Sequence, residues 1–138
     1  MDYLLDVNVL VAWGWADHTD HLRAAAWLGA VKRKPDVTLL TSAIPELGFI
    51  RVSVQRAGGR LPIAEAAATL SGMLESLGKQ YAFLPDDQTS THAWPAWCGS
   101  ASGTTDAHLA NLAESHGIQL ATLDEGIPGA FLVPARSD

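Results

Sequence analysis

Four short, apolar, β-prone runs alternate along the chain with longer segments of helical character, and this alternation limits the possible folds more than any other feature. The runs are residues 3–7 (YLLDV), 37–41 (VTLLT), 80–84 (QYAFL) and 118–123 (IQLATL), with a short last one at 131–133 (FLV). Short apolar runs bounded by turn-forming residues suit strands covered on both faces. Between them the pattern predicts helices over 8–15, 20–33, 42–57, 62–77 and 104–117. The second helix follows N-cap types at Asp17, Thr19 and Asp20, with Leu22, Ala25, Ala26 and Trp27 available for its buried face. Thr41 or Ser42 is expected to cap the third, which tolerates Pro45 in its first turn and ends at Gly58-Gly59. In the fourth, Ile63, Ala66, Ala67, Leu70, Leu74 and Leu77 recur at helical spacing. Thr104 or Thr105 is expected to cap the fifth. Strands alternating with helices imply an α/β sandwich with a mostly parallel sheet. Residues 85–103 show no period, so they are either functional or hide a helix.

Length and composition narrow the function classes. At 138 residues, 48% hydrophobic and 17% charged, the chain reads as one domain, residues 1–138, with a sizeable core. The net charge of −6 argues against a generally basic, nucleic-acid-coating protein. The charge is unevenly placed, however. Residues 1–60 are +1 and residues 61–138 are −7, so a local basic surface can coexist with the acidic total. A single cysteine, Cys98, leaves no intrachain disulfide or multi-cysteine zinc site and reads as inert. The apolar N-terminal run has no basic flank and is interrupted by Asp6. It reads as neither a signal peptide nor a membrane span, and a cytoplasmic protein is expected.

Four acids fall where a parallel α/β sheet binds ligands. Asp6 ends the first strand and Asp124 ends the IQLATL strand. Glu46 and Asp106 lie in the first turns of the helices after VTLLT and after the irregular stretch. Each has a bland explanation, as a turn-former or as a partner of the helix dipole. Strand C-termini and helix N-termini share one edge of such a sheet, though, which would bring four carboxylates together. Clustered carboxylates repel one another unless a cation neutralises them, and an all-oxygen site suits Mg²⁺ or Mn²⁺. Asn8, two residues after Asp6, and Thr122, two before Asp124, read either as donors orienting those carboxylates or as a helix cap and a strand residue. Asp124 is followed by Glu125, so either could be the fourth ligand; the strand-end position favours Asp124.

Three stretches, LLDVNVLVAW at 4–13, TSAIPELGFIRV at 41–52 and TTDAHLANLAESHGIQLATLDEG at 104–126, resemble PIN-domain ribonucleases, specifically the VapC-type toxins of toxin–antitoxin pairs. The resemblance spans nearly the whole chain. It implies a three-layer α/β/α sandwich and acidic site residues at Asp6, Glu46, Asp106 and Asp124. It further implies Mg²⁺ or Mn²⁺ at that site, hydrolysis of RNA, a homodimer, and a cognate antitoxin as inhibitor. Residues 85–103 carry no family signature.

Other residues admit two readings each. His18 and His21 have a spacing that could hold a metal but read better as a helix end, while His92, His108 and His116 are scattered. Arg51, Arg56 and Arg60 follow Glu46 and are either RNA-backbone contacts or a solvated face. Lys32-Arg33-Lys34 suits a helix C-terminus. Trp94 and Trp97 could stack on bases or pack. Val9, Leu10, Trp13, Trp15 and Trp27 are expected to wall a groove for an antitoxin helix, or else to fill the core. Two competing functions are a haloacid-dehalogenase-like phosphatase, suggested by Asp6-Val7-Asn8, and a non-catalytic acidic binding module. The phosphatase wants a second Asp where Asn8 stands, and a downstream Lys; only two basic residues follow position 60.

Overall fold

The computed structural model describes residues 1–91 and 93–135. Five short strands form one sheet: β1 (Tyr3–Leu5), β2 (Leu39–Thr41), β3 (Tyr81–Phe83), β4 (Gln119–Thr122) and β5 (Phe131–Leu132). Their order is β3-β2-β1-β4-β5, and every pairing is parallel. The connections carry helices α1 (Val7–Gly14), α2 (His21–Val31), α3 (Ala43–Arg56), α4 (Ile63–Glu75) and α5 (Thr104–Ser115). Short 3₁₀ turns occupy Gly78–Gln80 and Ala101–Gly103.

Side chains alternate across the strands, and both faces are apolar. Leu5, Leu39 and Ala121 join Val9, Leu28 and Phe49 in a core under α1–α4. Leu4 and Leu120 join Leu109, Leu112 and Ile127 in a second core under α5. The result is the expected three-layer α/β/α sandwich. Tyr3, Trp27 and Phe131 extend the first core as an aromatic trio with ring centroids 4.8–5.5 Å apart.

The topology also defines where ligands go. The chain builds β1, β2 and β3 outward in one direction, then crosses to build β4 and β5 on the other side of β1. The crevice at the C-terminal ends of β1 and β4 is therefore the topological switch point. α1 and α3 flank it at unusually close range. A Cβ on Gly48 would lie 2.6 Å from Val7 Cγ2, so only glycine permits this approach.

Several local expectations are corrected. The buried stripe of α2 is Ala24, Trp27, Leu28 and Val31, while Leu22 is 59% exposed. In α4, Ile63 (68% exposed) and Ala67 face outward, because the inward stripe begins at Ala66. The expected side-chain caps are absent. Asp20 makes no cap hydrogen bond, Ser42 Oγ donates to the Leu84 carbonyl, and Thr104 Oγ1 donates to the Ala101 carbonyl. A tertiary partner has claimed the Ser42 hydroxyl, and the preceding 3₁₀ turn that of Thr104. Among the described residues, 85–103 hide no α-helix, and only the 3₁₀ turn at their end is regular. Val9, Leu10 and Trp27 fill the core rather than wall a groove; Trp13 and Trp15 are half-buried, and Trp15 Nε1 donates to Ser53 Oγ at 3.0 Å.

Candidate metal centre at the switch point

β1 gives way to α1 at Asp6, whose N–H still bonds the Ala121 carbonyl at 3.0 Å while its carboxylate caps the helix. Asp6 Oδ1 accepts from the Val7 N–H at 2.7 Å and starts α1. The pairing of Leu5 with Ala121 carries Asp6 alongside the end of β4. There the Thr122 hydroxyl donates to Asp6 Oδ2 at 2.8 Å. A hydroxyl has one proton to give and two lone pairs to receive, and both are used. Thr122 Oγ1 accepts from Asn8 Nδ2 at 3.1 Å and from the Asp124 N–H at 3.1 Å. Asn8 Oδ1 accepts in turn from the Leu123 N–H at 3.1 Å. Asn8 and Thr122 thus tie the first turn of α1 to the end of β4 and fix Asp6 between them.

Asp6 is 3% exposed. Burial pushes its carboxyl up to about 6 from 3.8; the Asp106 and Asp124 charges push the same way, while the Thr122 and Val7 hydrogen bonds oppose it. Asp106, in the first turn of α5, is also raised, by partial burial and by the Asp124 carboxylate facing it. Asp124 itself turns the chain after β4, with Oδ1 accepting from the Gly126 N–H at 2.8 Å. Three aspartates from three segments therefore act on one another across the β1–β4 crevice.

Glu46 stands one strand over. It lies in the first turn of α3, and its charge is not among those raising Asp6 or Asp106. Its Oε2 accepts from Thr41 Oγ1 at 2.6 Å, and the Tyr81 hydroxyl lies 3.4 Å away. Burial and the Glu46 carboxylate hold the Tyr81 phenol above its ordinary value, so it stays a donor. Among the described residues, no three His, Cys, Asp or Glu side chains stand in ready coordinating geometry. The chemistry of the donor set nevertheless fits a hard divalent cation. The acids offer only oxygens, none is in an ion pair among the described residues, and one is buried with its charge disfavoured.

The remaining candidates lie elsewhere. Arg56 closes α3, about 15 Å along the helix axis from Glu46. It pairs with Asp17 at 3.1 Å and stacks over Trp15. Arg51 is exposed five residues after Glu46, and Arg60 is exposed beyond the helix end. His18 and His21 bond to backbone groups, with Nδ1 of His18 accepting from the Asp20 N–H and Nδ1 of His21 meeting the Ala12 carbonyl. His108 and His116 are not scattered but latch the segment after β3 to α5, facing Asp86 at 2.6 Å and Asp87 at 2.9 Å. His92 lies outside the described residues. Trp94 and Trp97 line a cavity of about 650 Å³ along α5, which contains none of the four acids. Sequence reasoning missed Thr41 and Tyr81 as partners of Glu46. Thr41 could have been suspected from its strand-end position five residues before Glu46, but Tyr81 reaches it only through the β2–β3 pairing.

The PIN domain family profile matches residues 3–130. The chain belongs to the PIN-domain family. Within that family, this PIN domain is 33% identical to ribonuclease VapC39 of Mycobacterium tuberculosis, over 92% of this chain and 91% of that protein. Its fold matches the crystal structure of VapBC2 from Rickettsia felis bound to a promoter DNA fragment, with a TM-score of 0.61 at 17% identity, covering 96% and 97% of the two chains. It also matches Mycobacterium tuberculosis VapC20, a sarcin-ricin loop cleaving toxin, with a TM-score of 0.61 at 14% identity, covering 96% and 98%. At those identities the two structures speak for the fold alone.

Proposed function

We propose that this protein, residues 1–138 as one PIN domain, is a Mg²⁺- or Mn²⁺-dependent endoribonuclease and the toxin of a toxin–antitoxin pair. The observation that supports it most is the set of three mutually repelling aspartates, Asp6, Asp106 and Asp124, at the switch point of a PIN fold. Glu46 completes the set from β2's side of the same edge. A divalent cation held there supplies neutralising charge at a scissile phosphate. The chain's own residues do the rest. Thr122 and Asn8 orient Asp6, and the Asp124 turn presents its carboxylate toward Asp106. Arg51 is the cation on α3 nearest to Glu46 in the chain and is assigned to the RNA backbone. Arg60 is a more distant contact, and Arg56 serves only if RNA displaces Asp17.

A cytoplasmic ribonuclease needs restraint, and a cognate antitoxin is the proposed partner, with a homodimer as the assembly. A basic side chain entering the acidic crevice would pair with the carboxylates and block substrate. No helix among the described residues is long and apolar enough to cross a membrane. The test is cleavage of RNA under single-turnover conditions, with Mg²⁺, with Mn²⁺ and with chelator, for the native chain and for Asp106→Asn. Metal-dependent cleavage lost in the variant supports the reading. Turnover of a small phosphomonoester in its place would favour the phosphatase, and no turnover of either the binding module. Co-expression with the adjacent open reading frame tests the partner by co-purification and suppressed cleavage.

A further inference from the structure

Glu46 is the one acid of the set that the crevice itself does not hold. Asp6 is bound by Thr122 and the start of α1, and Asp106 and Asp124 face each other. Glu46 is held from the opposite direction, by β2 and β3. Thr41 ends β2 and is fully buried, a costly place for a hydroxyl unless its bonds are made. Its Oγ1 lies 2.6 Å from Glu46 Oε2 and 2.7 Å from the Tyr81 hydroxyl. The register pairing Leu39 with Tyr81 and Thr41 with Phe83 sets Tyr81 on the same face of the sheet as Thr41.

Proton counting gives the network a direction. An ionised Glu46 can only accept, so Thr41 spends its single proton on Oε2. Thr41 Oγ1 is then an acceptor for the Tyr81 O–H at 2.7 Å, much the shorter of that hydroxyl's two contacts, the direct one to Oε2 being 3.4 Å. Both short contacts run through Thr41 to one carboxylate oxygen, Oε2, which leaves Oε1 as the oxygen for a cation. Glu46 and Tyr81 also share the wall of a cavity of about 660 Å³ between α3 and α4, so solvent would otherwise compete for the glutamate.

We propose that Thr41 and Tyr81 are positioning residues, a directed hydroxyl relay that holds Glu46 Oε2 so that Oε1 is presented to the divalent cation. The inference rests on the reading of Glu46 as a metal-site acid. Such outer partners of a ligating carboxylate typically control metal affinity by about ten- to hundredfold. The relay therefore acts on metal affinity and not on the grip on RNA.

The experiment titrates Mg²⁺ and Mn²⁺ by thermal shift in the absence of RNA, and separately by RNA cleavage. The proteins are the native chain, Thr41→Val, Thr41→Ser, Tyr81→Phe and Glu46→Gln, with melting in chelator as the folding control. Thr41→Val is expected to raise the half-saturating metal concentration about tenfold, Tyr81→Phe by a smaller factor, and Thr41→Ser to restore the native value. KM for RNA at saturating metal should stay unchanged. A Glu46→Gln protein with weakened metal binding, beside Thr41→Val and Tyr81→Phe proteins that bind as the native chain does, overturns the relay alone. Native metal binding by Glu46→Gln removes Glu46 from the site and overturns both the four-acid reading and the relay. Should Thr41→Val fold poorly, Tyr81→Phe decides, since it deletes only the phenolic hydroxyl and leaves the ring in place.

Discussion

Asp6 shows how a single residue can trade stability for chemistry. Its carboxyl titrates at about 6 instead of 3.8, chiefly because it is buried. A raised carboxyl favours the protonated fold. The metal-free protein therefore bears no penalty below about pH 4, an increasing one as pH rises toward 6, and the full one above it. The full penalty is on the order of 3 kcal/mol. Asp6→Asn is accordingly expected to melt at a higher temperature than the native chain in chelator at about pH 8, with the gain shrinking toward about pH 4. The same variant should lose RNA cleavage by more than the roughly hundredfold typical of an outer partner. Calorimetry at both pH values, paired with a cleavage assay, reads both effects; a destabilised Asp6→Asn in chelator would show that the bonds of its carboxylate outweigh the cost of burying its charge. The next acid along can be sorted likewise. Asp124 and Glu125 are both exposed, but only Asp124 acts on Asp106 and Asp6. Glu125→Gln should leave cleavage near native and Asp124→Asn should abolish it, and the reverse ranking would reassign the ligand.

At the scale of elements, the approach of α1 to α3 is the feature on which the site's width depends. α1 begins at Asp6 and α3 carries Glu46, and Gly48 lets the two helices close on Val7. A methyl group there meets a β-branched side chain with little rotameric freedom. Gly48→Ala should therefore cost about 1–3 kcal/mol in thermal or denaturant unfolding, despite alanine's better helix propensity. The forced separation should also weaken metal-dependent stabilisation. A Gly48→Ala protein as stable as the native chain would mean that Val7 can step aside. Helix faces followed a related logic. The stripes of α2 and α4 were legible as periodic, but their phase was not. Leu22 and Ile63 lie exposed because the buried stripes run through Ala24 and Ala66 instead, against neighbouring helices. Periodicity fixes a spacing, and only packing selects which member of a broad apolar set faces inward.

For the whole molecule, the acidic crevice predicts that metal binding and folding are linked. A cation that binds only the native state stabilises it by mass action, by about 2.7 kcal/mol at a hundred times its Kd. Millimolar Mg²⁺ or Mn²⁺ should raise the melting temperature by several degrees and chelator should reverse this; an unchanged melting temperature would argue against a cation site. The charge asymmetry bears on substrate. With residues 61–138 at −7, the proposed RNA path runs on the side of α3. Arg51→Ala with Arg60→Ala should flatten the salt dependence of RNA binding, each lost phosphate contact reducing the slope by about one. An unchanged slope would move the RNA path to Lys32, Arg33 and Lys34.

The order of strands and helices, the parallel sheet and the strand-end acids were readable from the sequence alone. They depend on local pattern, on apolar runs too short for helices, and on the rule that parallel strands need helical crossovers. The PIN resemblance was readable for the same reason, since three contiguous stretches carry it. Beyond Asn8 and Thr122, one of whose two readings was as donors beside the carboxylates, the partners of the side chains were not. Thr41, Ser42 and Thr104 looked like caps because capping is the local use of a hydroxyl, yet each is taken by something else. Ser42 finds its partner just after β3, some forty residues on; Thr41 donates to Glu46 and meets Tyr81 of β3; and Thr104 finds its partner in the 3₁₀ turn before it. His108 and His116 looked scattered because Asp86 and Asp87 lie in a stretch with no period to place it. A hydroxyl or a carboxylate is short and its bonds are directional, so its role is settled by whichever group the closed fold brings within about 3 Å. Local sequence encodes which elements form; the identity of that neighbour exists only once β1 has β2 on one side and β4 on the other.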